Sequence, residues 1–150
     1  MTQFEAVLQK EMVIFTNQTK KDVVLSQLIE QLSTSDVVHD KAELRTAIFE
    51  REALMSTGIG NGVGIPHVRI PSVDSLALSV AVCETAVNDY ESMDDEPVWI
   101  LFMIAAAEHQ HVDYLKLLAA IGQKMKDFPF RQKLRALKTA EEVYELLIAE

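Results

Sequence analysis

The sequence predicts a single α/β (α+β) domain over residues 1–150, in which helices flank one mixed β-sheet. The length of 150 residues is typical of one domain, and 49% hydrophobic against 25% charged residues is enough for a buried core. Short apolar segments with strand character are interspersed with amphipathic helical segments. This mixture favours one sheet that is covered by helices.

The first third of the chain predicts one strand and two helices. The apolar run at 12–16 is typical of a short strand. A helix over about 19–33 is expected, because Thr19 is followed three positions later by an acidic residue, the pattern of a capping box. Asp40 gives the same start signal for a second helix, which we expect to end near residue 54.

The middle of the chain predicts a glycine-rich loop and two longer strands. The loop covers 56–66 and contains four of the five glycines. The segment 76–83 is short and rich in β-branched residues, which is typical of a strand. The segment 98–107 is apolar throughout, as expected for a strand buried on both faces. An acidic connection at 86–97 joins the two.

Three helices are predicted in the last third. The amphipathic pattern of 112–126 predicts the longest, and a short helix is expected at 130–137. Thr139 with Glu142 forms another capping-box pattern, which predicts a last helix over 139–149. The residues of the longest helix that we expect to face the core are Leu115, Leu118, Ala119, Ile121 and Met125.

Charge and cysteine content exclude several classes of function. Lysine and arginine number 14 against 23 aspartate and glutamate, a net charge of −9, so nucleic acid and anionic lipid are poor partners. The single cysteine, Cys83, forms neither an internal disulfide nor a multi-thiolate zinc site. We see no signal peptide at the N-terminus and no run near the ~18 apolar residues of a membrane span. We therefore expect a cytoplasmic protein without direct membrane insertion.

The segment from Ser56 to His67 reads S-T-G-I-G-N-G-V-G-I-P-H, with glycine at alternate positions. It matches neither the phosphate-binding loop of nucleotide hydrolases nor the G-x-G-x-x-G dinucleotide fingerprint. Alternating glycines let backbone N–H groups approach a ligand closely, and such groups bind anions. A flexible turn that binds nothing accounts for the same pattern.

His67 is the last residue of this segment, and the fixed φ of Pro66 stiffens the backbone before it. A neutral imidazole is a good nucleophile near pH 7, because its unperturbed pKa is about 6.5. A histidine with a purely structural hydrogen bond is the alternative, and His67 alone does not separate the two.

His109 and His111 form an H-x-H pair after the apolar strand. Such a pair binds a metal when both rings face one side, and zinc held together with His67 is one interpretation. The interpretation that we favour has no metal, with one ring in a site and the other in solvent.

Arg51 lies on a helical face with Leu44 and Ile48, because positions i, i+4 and i+7 share one side. A guanidinium among core-facing residues needs an anionic partner. That partner is either a neighbouring carboxylate, Glu50 or Glu52, or a bound phosphate.

Two motifs carry a resemblance to a known family. Residues 51–67 match R-E-x-x-x-S-T-G-I-G-x-G-x-x-I-P-H, and the sequence from His111, H-V-D-Y-L-K-L-L, is similar to H-L-x-x-L-x-x-L. Together with the order of the predicted helices and strands, these two motifs resemble the enzyme IIA component of the fructose/mannitol class in the sugar phosphotransferase system (PTS). This class includes a nitrogen-regulatory branch, and its fold is a mixed sheet flanked by helices.

The resemblance implies that His67 accepts a phosphoryl group from the phosphocarrier HPr and transfers it to a cysteine of an enzyme IIB domain. It also implies that His111 is a second active-site histidine and Arg51 a nearby cation. No cofactor or metal is required, because a P–N bond exchanged between histidines changes little in charge or energy. The phosphate-binding groups expected beside them are the Thr57 hydroxyl and the loop N–H groups, including Gly62 and Gly64.

Sugar uptake is the function that we expect, and the chain would act in trans because it has no IIB-type cysteine motif or membrane domain. A regulatory role, in which phosphorylation controls binding to other proteins, is the alternative, and both require His67. For docking of HPr, we expect an acidic rim that includes Glu108 and Asp113. The apolar residues expected inside this rim are Val63, Ile65, Val68 and Ile70.

Overall fold

One mixed β-sheet forms the centre of the computed structural model, which describes residues 2–149. The strands in these residues are β1 (Val13–Thr16), β2 (Gly58–Gly60), β3 (Val63–Gly64), β4 (His67–Arg69), β5 (Ala77–Val87) and β6 (Val98–Ala106). Their order across the sheet is β1-β5-β6-β3-β2, with β4 also paired to β6. β5 and β6 are antiparallel, whereas β1 is parallel to β5, and β3 and β4 are parallel to β6.

Helices cover both faces of this sheet. They are α1 (Gln3–Val7), α2 (Lys21–Leu32), α3 (Lys41–Leu54), α4 (His111–Met125), α5 (Phe128–Arg135) and α6 (Ala140–Ile148), with a 3-10 turn at Lys10–Met12. α2 and α3 pack on one face, and the other four helices pack on the opposite face. Among the described residues, no helix has the length and apolarity needed to cross a membrane.

β6 is buried along its whole length, as its uninterrupted apolar sequence predicts. Leu101 and Met103 belong to the core beneath α2 and α3, whereas Phe102 and Ile104 belong to the core on the opposite face. This alternation follows from the two-residue period of a strand. The mixed sheet flanked by helices is therefore confirmed.

Helix starts confirm two predicted caps and contradict a third. Asp40 caps α3, and Thr139 caps α6 with a complete capping box. α2 begins only at Lys21 and has no side-chain cap, so the prediction for Thr19 is wrong. The Lys21 N–H donates instead to the carboxylate of Asp89 at 2.9 Å. Local spacing does not reveal this partner, because it lies far along the chain.

The buried face of α4 differs from the predicted one. Tyr114, Leu117, Ile121 and Met125 are buried, so only the last two of the predicted residues are confirmed, and Leu115 is exposed. Five apolar residues between positions 112 and 118 support two neighbouring stripes, and periodicity alone does not choose between them. The Tyr114 ring, which packs inward, decides the orientation of the helix.

The glycine-rich segment forms three short strands where a loop was predicted. β2 pairs with β3, while β3 and β4 lie one after the other along β6. Pro66 separates β3 from β4, since its nitrogen has no hydrogen to donate to the ladder. Its carbonyl still accepts the N–H of Ile104 at 3.0 Å, so the break does not release the backbone from β6.

Candidate active site

His67 is the first residue of β4 and is held against β6, where its register partner is Ile104. The hydrogen bond from Ile104 to the carbonyl of Pro66 fixes the backbone just before it. The His67 side chain is half-buried and lines an open cleft of about 500 Å³ between α3, β4 and the start of α4. A fixed backbone thus presents this imidazole at an accessible surface.

The two ring nitrogens of His67 have different surroundings. Nδ1 lies 2.5 Å from the carbonyl oxygen of Ile65. Because a carbonyl oxygen only accepts, Nδ1 carries the proton, and the neutral ring has its free electron pair on Nε2. The backbone thereby makes Nε2 the nucleophilic nitrogen.

The pKa of His67 is lowered from its ordinary value, chiefly because burial disfavours the charged ring. The hydrogen bond to Ile65 and the carboxylate of Glu52 raise this pKa, and the guanidinium of Arg51 lowers it. The net lowering keeps the imidazole neutral near pH 7. Only the neutral ring has an electron pair with which to attack an electrophile.

Two guanidinium groups lie beside this imidazole. Arg69 is two residues after His67 on β4 and therefore projects from the same face of the strand. Its guanidinium carbon is 5.7 Å from the centre of the Tyr114 ring, and the centre of the His67 ring is 5.6 Å from the same point. Arg51 lines the cleft from α3. Together the two cations suit a site for a phosphoryl group.

The sequence interpretation missed both Arg69 and Tyr114. The signal for Arg69 is present, since a basic residue at i+2 on a strand shares the face of His67. The signal for Tyr114 is weak, because an aromatic residue in an amphipathic helix is ordinarily a core residue.

The buried stripe of α3 continues at Glu52 and not at Arg51, one residue away from the prediction. Leu44 and Ile48 are fully buried, but the next buried position is Glu52, and Arg51 is half-buried. Within residues 2–149, Arg51 forms no ion pair with a carboxylate, and its Nη1 donates to the carbonyl of Met55 at 2.8 Å. The two carboxylates considered as its partners are therefore not its partners, which leaves the guanidinium available for a bound anion.

Thr57 is buried, and its hydroxyl is already bonded within the protein. Its Oγ1 donates to Oε2 of Glu52 at 2.6 Å and lies 2.6 Å from the hydroxyl of Tyr90, which is then the donor to Thr57. Thr57 has no hydroxyl proton left for a phosphoryl oxygen, contrary to the expectation from the sequence. The reason is the buried carboxylate of Glu52, which requires donors of its own.

Gly62 and Gly64 serve close packing in this structure. Gly62 has a φ of 80°, and a side chain there would overlap the ring of Trp99. A Cβ atom on Gly64 would come within 3.0 Å of the ring of Tyr90. Neither glycine lines the cleft that contains His67. Phosphate binding by the N–H groups of this segment stays a prediction.

His111 is the first residue of α4 and is exposed outside the cleft wall. It precedes Tyr114 by three residues, which places it one helical turn from the ring that contacts His67. His109, just before α4, is also exposed. In the part of the chain that the structure describes, no three His, Cys, Asp or Glu side chains gather as metal ligands, so the zinc arrangement is not formed.

The prediction of an apolar docking surface formed by Val63, Ile65, Val68 and Ile70 is wrong. All four are buried, because β3 and β4 lie within the sheet and in contact with both cores. Glu108 and Asp113, expected at the rim, are exposed. Of the exposed apolar side chains, Leu54 lines the cleft at the end of α3, Met55 follows it, and Val112 and Leu115 lie at the start of α4.

The fold and this site define a class of α/β domain in which an oriented, neutral histidine lies beside two guanidinium groups. Residues 6–150 match the family described as "Phosphoenolpyruvate-dependent sugar phosphotransferase system, EIIA 2". The chain therefore belongs to the PTS EIIA type 2 family, whose members act as phosphotransfer components.

Curated relatives carry two kinds of name. The nitrogen regulatory protein of Bradyrhizobium diazoefficiens is 36% identical over 100 residues, 67% of this chain and 65% of the relative. The PTS fructose-specific EIIA component of Haloferax volcanii is 28% identical over 127 residues, 85% of this chain and 82% of the relative. The fructose-specific EIIABC component of Bacillus subtilis is 29% identical, over 85% of this chain and 20% of the relative. The chain thus spans less than two thirds of the length of some relatives.

Solved structures share the fold over nearly the whole chain. The nitrogen regulatory protein IIA-Ntr from Neisseria meningitidis has a TM-score of 0.88 at 24% identity, over 97% of this chain and 99% of that chain. Enzyme IIA-mannitol from Escherichia coli, solved in complex with phosphorylated IIB-mannitol, has a TM-score of 0.78 at 22% identity, over 93% and 96%. At these identities the likeness establishes the fold alone.

Proposed function

We propose that this protein is a phosphoryl carrier, in which Nε2 of His67 accepts a phosphoryl group from HPr and passes it to a cysteine of an enzyme IIB. The observation that carries the proposal is the Nδ1 hydrogen bond to Ile65, which leaves Nε2 unprotonated in a cleft with Arg51 and Arg69. The complex of IIA-mannitol with phosphorylated IIB-mannitol supports a IIB partner. Exchange with HPr implies a cytoplasmic location.

The electron pair of Nε2 attacks the phosphorus of phospho-HPr, and the P–N bond of the donor histidine breaks. The ring of His67 gains positive charge as the new P–N bond forms, and the Ile65 carbonyl stabilises it through the Nδ1 proton. Arg51 and Arg69 stabilise the equatorial oxygens. In the second step a IIB thiolate attacks phosphorus, and the bonding pair returns to Nε2.

The remaining predicted residues have separate parts in this proposal. His111 reaches the phosphoryl group from the start of α4 and assists the second step. Thr57, Gly62 and Gly64 act indirectly, by holding the backbone that carries His67. Their buried positions support an indirect part over direct phosphate contact.

Phosphorylation with phosphoenolpyruvate, enzyme I and HPr tests the proposal. We expect one acid-labile, base-stable phosphoryl group per chain by intact mass spectrometry, and none on His67→Ala. His39→Ala and His109→Ala are matched controls that should still be labelled, because both side chains are exposed and neither lines the cleft. Undiminished labelling of His67→Ala would overturn the assignment.

Sugar uptake is the cellular role that we propose for this carrier, and its support is the fructose-specific names of two relatives. A regulatory role is the second candidate, favoured by the 36% identity to a nitrogen regulatory protein and by the TM-score of 0.88 to IIA-Ntr. Transfer from phosphorylated protein to purified candidate IIB proteins separates the two. Rapid transfer to one IIB, with loss of uptake of its sugar in a deletion strain, would establish transport. Unchanged uptake of every sugar would favour regulation.

A further inference from the structure

We infer that Glu52 is a positioning residue for His67, because it holds, through Thr57 and Ile65, the carbonyl that keeps the imidazole proton on Nδ1. The consequence for phosphoryl transfer rests on the proposed function, whereas the control of the tautomer does not.

A continuous series of hydrogen bonds joins the carboxylate to the imidazole. Glu52 accepts the Thr57 hydroxyl at 2.6 Å on one oxygen and the Thr57 N–H at 3.3 Å on the other. The Thr57 carbonyl accepts the N–H of Ile65 at 3.0 Å. The Ile65 carbonyl accepts the Nδ1 proton of His67 at 2.5 Å. The series therefore restrains Thr57 and Ile65, the two residues through which the carboxylate is linked to the imidazole.

The carboxylate at the start of this series is itself held firmly. The Glu52 side chain is only 5% exposed, and the ammonium group of Lys21 lies 3.0 Å from Oε1. That ammonium group also lies 4.2 Å from the centre of the Tyr90 ring. Burial of a charge is unfavourable unless the charge is paired and hydrogen-bonded. Lys21 pairs with the carboxylate of Glu52, and Thr57 donates hydrogen bonds to it. The arrangement fixes the Glu52 oxygens relative to Lys21 of α2 and to Thr57, the residue that precedes β2.

The peptide group between Ile65 and Pro66 lies between two anchors: the Ile104 N–H bond to the Pro66 carbonyl on one side, and the bond from the Ile65 N–H to Thr57 on the other. The Pro66 nitrogen offers no hydrogen with which to anchor that peptide directly. If Thr57 moves, the Ile65 carbonyl turns away and Nδ1 loses its acceptor. A neutral imidazole without that acceptor populates both tautomers, and the Nε2–H form has no electron pair on Nε2. Such a ring cannot accept a phosphoryl group at that atom.

Two substitutions break the series at different points. Glu52→Gln replaces one acceptor oxygen by an NH2 group, which donates and cannot accept, and it removes the negative charge. Thr57→Val removes the hydroxyl but keeps the carboxylate, so it breaks the geometry without removing the charge. Thr57→Ser restores the hydroxyl and is the conservative rescue. Thr34→Val is the matched control, because the exposed Thr34 hydroxyl bonds only to the carbonyl of Gln31.

The decisive measurement is the tautomer of His67, taken from long-range nitrogen–proton NMR spectra above its pKa. We expect the Nδ1–H form in the wild type, a clear Nε2–H population in Glu52→Gln and Thr57→Val, and recovery in Thr57→Ser. The rate of phosphoryl acceptance should fall about tenfold or more in the first two variants. Thr34→Val should match the wild type in both respects.

Two results would overturn the inference. The first is an undisplaced Nδ1–H form in a Thr57→Val variant that remains folded by circular dichroism. The second is a shift of the His67 pKa in Glu52→Gln without a change of tautomer, which would make its effect purely electrostatic. If Thr57→Val does not fold, the tautomer in Glu52→Gln decides. If Glu52→Gln does not fold, the tautomer in Thr57→Val decides. If wild-type His67 is not phosphorylated at all, the proposed function fails, yet the NMR spectra still decide the tautomer.

Discussion

The two sides of His67 are built in opposite ways. On the Nδ1 side, the segment from Thr57 to Ile65 is buried apart from Ile59 and Asn61, and it is hydrogen-bonded to Glu52, Tyr90 and Trp99. On the other side, the first residues of α4 are exposed, and its N-cap residue, Gln110, makes no side-chain cap. We call these the closed side and the open side of the site.

This difference separates two requirements of a carrier. The nucleophile needs a fixed tautomer and orientation, which only a closed hydrogen-bonded environment provides. In the proposed function two partners reach the same atom in turn, and the exposed apolar side chains of the open side suit such contacts. Val112 is 63% exposed and Leu115 is 48% exposed, and the two lie one helical turn apart on either side of the buried Tyr114. The predictions below perturb one side at a time.

The largest expected effect is on the open side, at His111. His111→Ala should still accept a phosphoryl group but should transfer it to IIB about 10²–10³-fold more slowly, since it removes one oriented donor. His109→Ala is the control and should change little. Single-turnover transfer measured by rapid quench distinguishes the two steps. An unchanged second step would make His111 a residue of the open surface without a part in transfer.

On the closed side, Gly62→Ala should lower the free energy of unfolding by about 2 kcal/mol or more, because the φ of 80° and the Trp99 ring both oppose a side chain. Gly122→Ala is the matched control, since a Cβ there meets nothing and the residue lies inside α4. It should raise the free energy of unfolding by about 0.5–1 kcal/mol. Urea unfolding curves of both variants test the pair, and equal effects would contradict the close packing.

The pKa of His67 gives a smaller test that involves both sides. Arg51 lowers this pKa, so Arg51→Gln should raise it relative to the wild type. Arg45→Gln, on the same helix, should not, because Arg45 bonds to Ser26. NMR titration of the ring protons measures both shifts. If the pKa of His67 falls in Arg51→Gln, the placement of this guanidinium beside the imidazole is contradicted.

The direction of the His67 shift also sets a pH dependence of stability. The folded-state pKa is below the unfolded value of about 6.5, so the unfolded state binds the proton first as pH falls. The contribution of His67 to stability is therefore complete above about pH 6.5 and is lost as pH falls towards the folded-state pKa. His67→Ala should lack this part of the pH profile.

The smallest expected effect concerns charges on the open side. Transfer from HPr at sub-saturating concentration should slow as ionic strength rises to physiological values, where charges are screened beyond about 8 Å. Asp113→Lys should slow it further. Glu141→Lys is a matched control, because it changes the first turn of α6 by the same charge at a helix that packs against β1. A flat salt profile would show that docking is apolar.

The sequence predicts the parts of the molecule that depend on local periodicity. β6, α3 and α6 lie close to their predicted positions, because an apolar run or a cap followed by a periodic stripe specifies each of them. α4 is predicted as a helix, but its buried face is not, since two apolar stripes overlap in its first turns. His67 and Arg51 come together in one cleft, as the motif implies.

The closed side could be predicted only in part, because local bonds such as that of Thr57 to Glu52 are combined with bonds between residues that are distant in sequence. Tyr90 meets Thr57 across 33 positions, and Lys21 meets Asp89 across 68. Alternating glycines indicate either a ligand or a close neighbour, and only the positions of Trp99 and Tyr90 show which applies. Exposure of Val112 likewise depends on how α4 rotates against the sheet.

The single thiol of the chain lies within β5, where burial raises the pKa of Cys83 to about 12. A raised pKa and burial both disfavour the reactive thiolate, so Cys83 should react slowly with alkylating reagents and oxidants. In a reconstituted mixture with the proposed IIB partner, treatment of each protein alone with a maleimide would then locate the sensitive cysteine. A cysteine introduced at an exposed position could therefore be labelled selectively with a fluorophore or spin label, without replacement of the buried Cys83.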